Sequence, residues 1–442
     1  MKFVATLFQL VRPAALGKNC ASSRALFIVA LSLSTLGPWA CHRSSTSDAV
    51  LLAVNAGVEA SGLNAAAREY QKQKGVPLQV IEYPYQSLFE KLLISLSSPS
   101  SNYDLVMIDD PWFPRFAEMG GLLDLAPLFR EKGLPGPDED FVGTSMALCR
   151  HPYGNGAQYA LPYVGNTQLF FYRRDLFEKH GLPAPRTWDE VYRHGKTIGS
   201  REQMYGYVMR AAQGNAIVTD FMPLFWAFGA EMFDGNGRPN VDSRESIEAL
   251  EFMLKLAEIA PPGYINFNAD EVGAHLLQGT ALTAINWPAW IPAFDDPSRS
   301  RVVGKIDFLP VPAQKRPGAS AIGNWLLGIP RRSSKARQAF EFLLWVTSRE
   351  QMRRSALMGN PPTRKSVFED KDLIGRFRAY PVQYQALLHS RPRPRSPVWN
   401  ELENTFGIYL SQANSGSYSP REALGAANRE MEQILDRWNQ SK

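Results

Sequence analysis

The chain is poor in cysteine, carries no concentrated charge of one sign and, beyond its first forty residues, has no long apolar run. Its 442 residues contain three cysteines, Cys20, Cys41 and Cys149, too few for a disulfide-stapled scaffold. Six scattered histidines form neither an HExxH pair nor a cluster at metal-ligand spacing, so no metal or cofactor is expected. There is no GxSxG elbow, and Gly195-Lys196-Thr197 has Glu190 where a phosphate loop needs its first glycine. The formal net charge is only +5. Arg391, Arg393 and Arg395 alternate with proline but lack the interleaved aromatics of a nucleic-acid groove. They read as solvated surface charge, and no nucleic-acid partner is expected. Together these absences remove the simple arguments for an enzyme, although catalytic groups can be dispersed.

What is present suits a soluble protein of two domains, with 45% hydrophobic and 21% charged residues. Arg12, Lys18 and Arg24 precede an apolar stretch from Ala25 to Leu36, too short to span a bilayer. Ala40-Cys41 at its end resembles a bacterial lipobox, with Pro38 and Trp39 as departures. The expectation is a signal peptide over 1–40, lipidation at Cys41, a tether over 41–47 and an exported, periplasmic or cell-surface protein. The alternative is a plain signal peptide cut nearby.

From residue 50 the pattern is βαβαβ. Val50–Val54, Leu78–Tyr83 and Leu105–Ile108 read as strands, with helices over Ser61–Lys74 and Gln86–Leu96 between them. This order predicts a parallel sheet with right-handed crossovers and ligands at the carboxyl ends of its strands. Asn55-Ala56-Gly57 and Asp109-Asp110-Pro111-Trp112 fall at those ends. Further on, Thr187 with Glu190 forms a capping box, Asp242-Ser243 opens another helix and Ser334 is expected to cap a third. Gly154-Asn155-Gly156 reads as a hairpin turn. Adjacent residues on a strand face opposite ways, so Asp109 and Asp110 are unsuited to flank one scissile bond.

Six blocks, in order from Tyr103 to Leu435, carry a resemblance. They include YDLVMIDDPWFPRFAEMGGLLDL from Tyr103, LPYVGNTQLFFYRRDLFEKHGLPAPRTWDEV from Leu161, HLLQGTALTAINWPAW from His275 and GNPPTRKS from Gly359. The chain is similar to family 1 extracellular solute-binding proteins of ABC importers, the group that includes maltose-binding protein. The resemblance implies a two-lobed α/β clamshell of the periplasmic-binding-protein type II class. Its three inter-lobe crossings would lie near Tyr163–Thr167, Pro310–Pro312 and Gly359–Pro361. Lobe one would then be 48–163 and 313–358, and lobe two 164–312 and 359–442.

A sugar presents C–H faces to aromatic rings and hydroxyls to amides and carboxylates. The candidate ligand residues are Asp110 and Trp112 after a strand end, Asn166 in the first crossing, and Trp226. Trp287 and Trp290 fall where the family has its aromatic. Asn324 and Trp325 follow Gly323, which would permit close backbone approach. Arg364 and Trp399 complete the set. The reading is a monomeric carbohydrate-binding component of an ABC importer that delivers its ligand to permease subunits and meets the membrane through its lipid anchor alone. The alternatives are a glycerol phosphate or polyol phosphate ligand in the same fold, and a secreted carbohydrate-active enzyme.

Overall fold

A computed structural model describes residues 48–441. The expected signal peptide over 1–40, the expected tether and Cys41 lie outside the described residues. Among the described residues no helix is long and apolar enough to cross a membrane.

Strands β1 (Val50–Asn55), β2 (Leu78–Tyr83) and β3 (Leu105–Asp109) form the expected βαβαβ unit, with β1 parallel to both neighbours. The helix between β1 and β2 spans Val58–Lys74 and buries Ala60, Leu63, Ala67 and Tyr70, one stripe at helical spacing. It ends at Gly75, whose φ of 72° is open to a residue without a Cβ. A short ribbon of β4 (Arg150–His151) and β5 (Ala157–Gln158) carries the expected turn at 154–156. Strand β6 (Ala160–Val164) leads into a second, antiparallel sheet of β7 (Leu169–Arg173), β8 (Thr283–Asn286) and β9 (Ile306–Leu309), in the order β8-β7-β9. The chain then returns to the first sheet as β10 (Trp325–Gly328), antiparallel between β3 and β6. The first sheet is thus β2-β1-β3-β10-β6.

Each sheet anchors its own apolar packing. The first core joins β1, β3, β6 and β10 to Phe340, Leu343 and Met352, and the second joins Phe170 and Ile285 to Phe225, Leu250, Trp399 and Phe406. Between the sheets the backbones run side by side. Gly165 N–H donates to Pro361 O (2.8 Å), Gly323 N–H to Asn166 O (2.9 Å) and Ile322 N–H to Arg391 O (3.0 Å). Toward the C-terminus, Val367, Phe368, Leu373 and Leu387 pack in the first core, while Val398 to Met431 pack in the second. Within this stretch, Ala379 and Ala386 pack in a third cluster with Phe171 and Ala284 of the second sheet.

The capping box of Thr187 and Glu190 forms, and Ser243 caps its helix by accepting from Ser246 N–H. Ser334 caps nothing: the helix Ala336–Val346 starts after Lys335 without a side-chain cap, and Ser333 instead donates to Asp104. Gly195-Lys196-Thr197 lies inside the helix Trp188–Glu202, so it forms no phosphate loop.

Candidate ligand-binding site

A cavity of about 860 Å³ opens between the two sheets. Its first wall comes from the carboxyl ends of β1 and β3, where a parallel sheet places ligands: Asn55, Gly57 and Asp109 line it, with Glu59 and Tyr85 beside them. From the junction come Asn166, Gly323 and Trp325. The opposite wall holds Trp287, Trp290, Arg210, Asn215 and Glu403, and Arg393 reaches in from the arginine–proline stretch.

Each ring is held from behind. Trp325, the first residue of β10, meets Trp112 edge-on at 5.8 Å and Tyr85 at 6.0 Å. Trp112 also packs on Tyr85 and Phe89, at 4.6 and 5.3 Å. Trp287 sits just past β8: Asn286, buried with its amide donating to Ala269 O, accepts the Trp287 backbone N–H at 2.8 Å. A Cβ on Gly323 would come within 2.6 Å of the Trp287 indole, so the bare glycine is what lets that ring lie across the junction. The Arg210 guanidinium lies 5.8 Å from the Trp287 ring.

Charge in the walls is organised in pairs. One Arg393 nitrogen donates to both Asp109 Oδ1 and Asp110 Oδ2, each at 2.7 Å, and Tyr85 Oη donates to Asp109 Oδ2 at 2.7 Å. Arg395 adds contacts to the Asp110 carbonyl and carboxylate, at 2.6 and 3.3 Å. Across the cavity, Arg210 shares Asn268 Oδ1 through two donors and faces Asp220 at 3.7 Å. Burial lifts the Asp220 carboxyl to about 7, against the pull of Arg210. Glu403 has an amide partner, Asn215 Nδ2 at 3.0 Å, and burial pushes it up to about 7 as well.

Of the eleven residues expected at the ligand, five line this cavity: Asn166, Trp287, Trp290, Gly323 and Trp325. The other six lie elsewhere. Asp110 is fully buried behind Asp109, where it neutralises Arg393 and Arg395. Trp112 backs the aromatic wall without facing the space. Trp226 is buried in the second core with Arg391 4.7 Å over its ring, and Trp399 is buried in the same core. Asn324 has a fully buried side chain, and its carbonyl accepts the Asp110 N–H at 3.1 Å. Arg364 is clamped by Thr347 O, Asp138 and Asp140 and stacks 4.0 Å over Phe141, a residue of the first core.

The arginine–proline stretch is the main correction. Arg393 is 2% exposed, the counter-charge of two buried carboxylates rather than solvated surface charge. Its partners lie more than 280 residues earlier in the chain, so no local pattern announced them. Asp109, Glu59, Tyr85, Arg210 and Glu403 were missed too. Of these, Asp109 had a signal, its place at the carboxyl end of a strand.

The model of the bacterial extracellular solute-binding protein family matches residues 56–353. The chain belongs to this family. Among family relatives, a Sinorhizobium fredii protein named "Probable amino-acid ABC transporter periplasmic-binding protein" is 28% identical over 323 residues, 72% of this chain and 73% of that one. Two solved structures are also similar. One is an ABC transporter solute-binding protein from Agrobacterium radiobacter in complex with ribitol, 26% identical with a TM-score of 0.80, covering 87% of this chain and 98% of that one. The other is maltose-bound MalE3 of T. maritima, 26% identical with a TM-score of 0.79, covering 87% of this chain and all of that one. These family members share the two-lobed α/β architecture, and they are binding proteins rather than enzymes.

Proposed function

We propose that this protein captures a sugar or polyol between its two sheets, each heading one lobe, and delivers it unchanged to an ABC importer. The observation that carries this reading is the composition of the cavity: indole rings on two walls, and amides, carboxylates and guanidiniums between them. Flat rings take the C–H faces of a sugar, and planar polar groups take its hydroxyl pairs. The ribitol and maltose complexes of similar proteins support the same ligand class. The hinge would be the backbones running together at 165–168, 321–323, 361 and 391, and closure would be favoured by contacts made to both lobes at once. Lipidation at Cys41, export and docking on permease subunits as a monomer belong to the same reading.

A polyol phosphate is the weaker alternative. Both buried guanidiniums in the walls face carboxylates already, which leaves little cationic charge for an anion.

Titration calorimetry over a panel of monosaccharides, disaccharides and linear polyols, with glycerol 3-phosphate as the anionic control, tests the proposal. At least one neutral or amine-bearing sugar or polyol is expected to bind, and the anion to bind weakly or not at all. Recovery of a chemically altered sugar would overturn the reading in favour of an enzyme. Trp287→Ala is expected to lower affinity for the bound sugar by about tenfold or more, the loss of an aromatic platform worth about 1–2 kcal/mol. Gly323→Ala acts on the same ring from behind, since overpacking of about 1–3 kcal/mol is relieved by moving the indole. Equal affinities in all three proteins would remove Trp287 from the site.

A further inference from the structure

Buried charge around the cavity does not balance. Asp109 and Asp110 share Arg393, Arg395 adds a second guanidinium to Asp110, and Asp220 faces Arg210. Two carboxylates are left over. Glu403 lines the cavity at 4% exposure, and its hydrogen bond comes from the neutral Asn215 amide. Glu59, half-buried, lines it as well, with the Asn55 amide at 3.5 Å. Among the described residues neither makes a salt bridge: Arg393 attracts Glu403, but its hydrogen bonds go to the two aspartates. The exposed rim adds Asp270 and Glu401 against Arg299.

Behind the walls, fully buried polar atoms are also left without a partner. Asn166 is 6% exposed, and its Oδ1, an acceptor, has no partner. The unfilled donors in the walls are Arg393 Nε and one terminal nitrogen of Arg210. A neutral polyol in the cavity would leave Glu59 and Glu403 without a counter-charge beside Asp109. An ammonium group brings three N–H donors and the missing positive charge. Among the described residues no three histidine, cysteine or acidic side chains converge to hold a metal ion.

We propose that the solute of this cavity is a polyhydroxylated molecule bearing a protonated amine, an amino sugar or amino polyol. Its ammonium faces the wall of Glu59, Asp109 and Glu403, and its hydroxyls meet Arg393, Arg210 and Asn166. The inference rests on the sugar or polyol reading above and narrows it. It carries a pH signature. Around Glu403 stand Asn215 on its neighbouring helix, Arg210 before that helix, Arg393, Asp109 on β3 and Tyr85. Burial holds Glu403 near neutrality, and Asp109 disfavours its charge further. Pairing with an ammonium requires the ionised form, so affinity for the amine falls as pH drops below about 7, by up to about tenfold per pH unit.

The test is titration calorimetry of the purified protein at pH 8 and pH 6 with matched compounds whose amines stay protonated at both: 6-amino-6-deoxy-D-glucose, D-glucose and 6-acetamido-6-deoxy-D-glucose, and 1-amino-1-deoxy-D-glucitol against D-glucitol. The amine of at least one set is expected to bind about tenfold tighter at pH 8 than its hydroxyl or acetylated counterpart, with the preference shrinking at pH 6. Glu403→Gln is expected to reduce that preference several-fold, and Glu59→Gln offers a second variant should the first fold poorly. A neutral compound that binds at least as tightly as its amine overturns this inference and leaves the sugar or polyol reading standing. Silence from every compound, with binding of glycerol 3-phosphate instead, overturns both.

Discussion

Replacing Arg393 with alanine is expected to lower the unfolding free energy at neutral pH by about 3–5 kcal/mol, the cost of leaving buried charges without their partner. One guanidinium nitrogen holds both Asp109 and Asp110, and those carboxylates are 4% and 0% exposed. Arg395 reaches only Asp110, so Asp109 keeps just the Tyr85 hydroxyl. Urea unfolding of the two proteins at pH 7.5 measures the difference. The gap should narrow as pH falls toward about 6, because burial already lifts the Asp110 carboxyl to about 6 beside Arg393 and removal of the guanidinium raises it further. Because one nitrogen makes both bonds, Arg393→Lys should recover part of the loss. A loss below about 1 kcal/mol at pH 7.5 would show that solvent reaches the aspartates and that the arginine is no structural counter-charge.

The second large effect concerns Glu403 in the ligand-free protein. Its carboxyl is pushed up from 4.5 to about 7 by burial, so the folded state holds a proton that the unfolded chain gives up. The stability contribution of that proton is fully present below about 4.5 and is lost as pH rises to about 7, a swing of about 3 kcal/mol. Glutamine keeps the shape and the bond to Asn215 geometry but cannot ionise. Ligand-free Glu403→Gln should therefore match the parent at pH 4 and exceed it by up to about 3 kcal/mol at pH 8, as read from unfolding curves across that range. Asp220 titrates in the same direction but is unchanged in both proteins, so the difference between them isolates Glu403. A variant less stable than the parent at pH 8 would mean that the carboxylate has a cationic partner in solution.

The site was partly legible before any fold was known. Asn55-Ala56-Gly57 stands out because a parallel strand ends there, and Trp325 because it follows a glycine that permits close backbone approach, whereas Trp287 is indicated only by the family resemblance. Asp110 is the expected acceptor because it lies just past the strand end, one residue after Asp109. The choice turns on one residue of register: Asp109 ends β3 facing the cavity, while Asp110 begins the following turn and points back to Arg393 and Arg395. Glu403 gave no sign. On the helix Trp399–Asn414 it follows the stripe of Leu402, Phe406 and Leu410, and a charged residue beside such a stripe ordinarily faces water.

Periodicity and punctuation along the chain were enough for the βαβαβ opening, the capped helices and the class of fold, because strands, helices and caps depend on neighbours within a few residues. Which charges are buried, and which of them are left without a partner, was decided only when residues 109, 210, 393 and 403 came together. Burial and ion pairing are properties of groups close in space, and here the partners are separated by most of the chain.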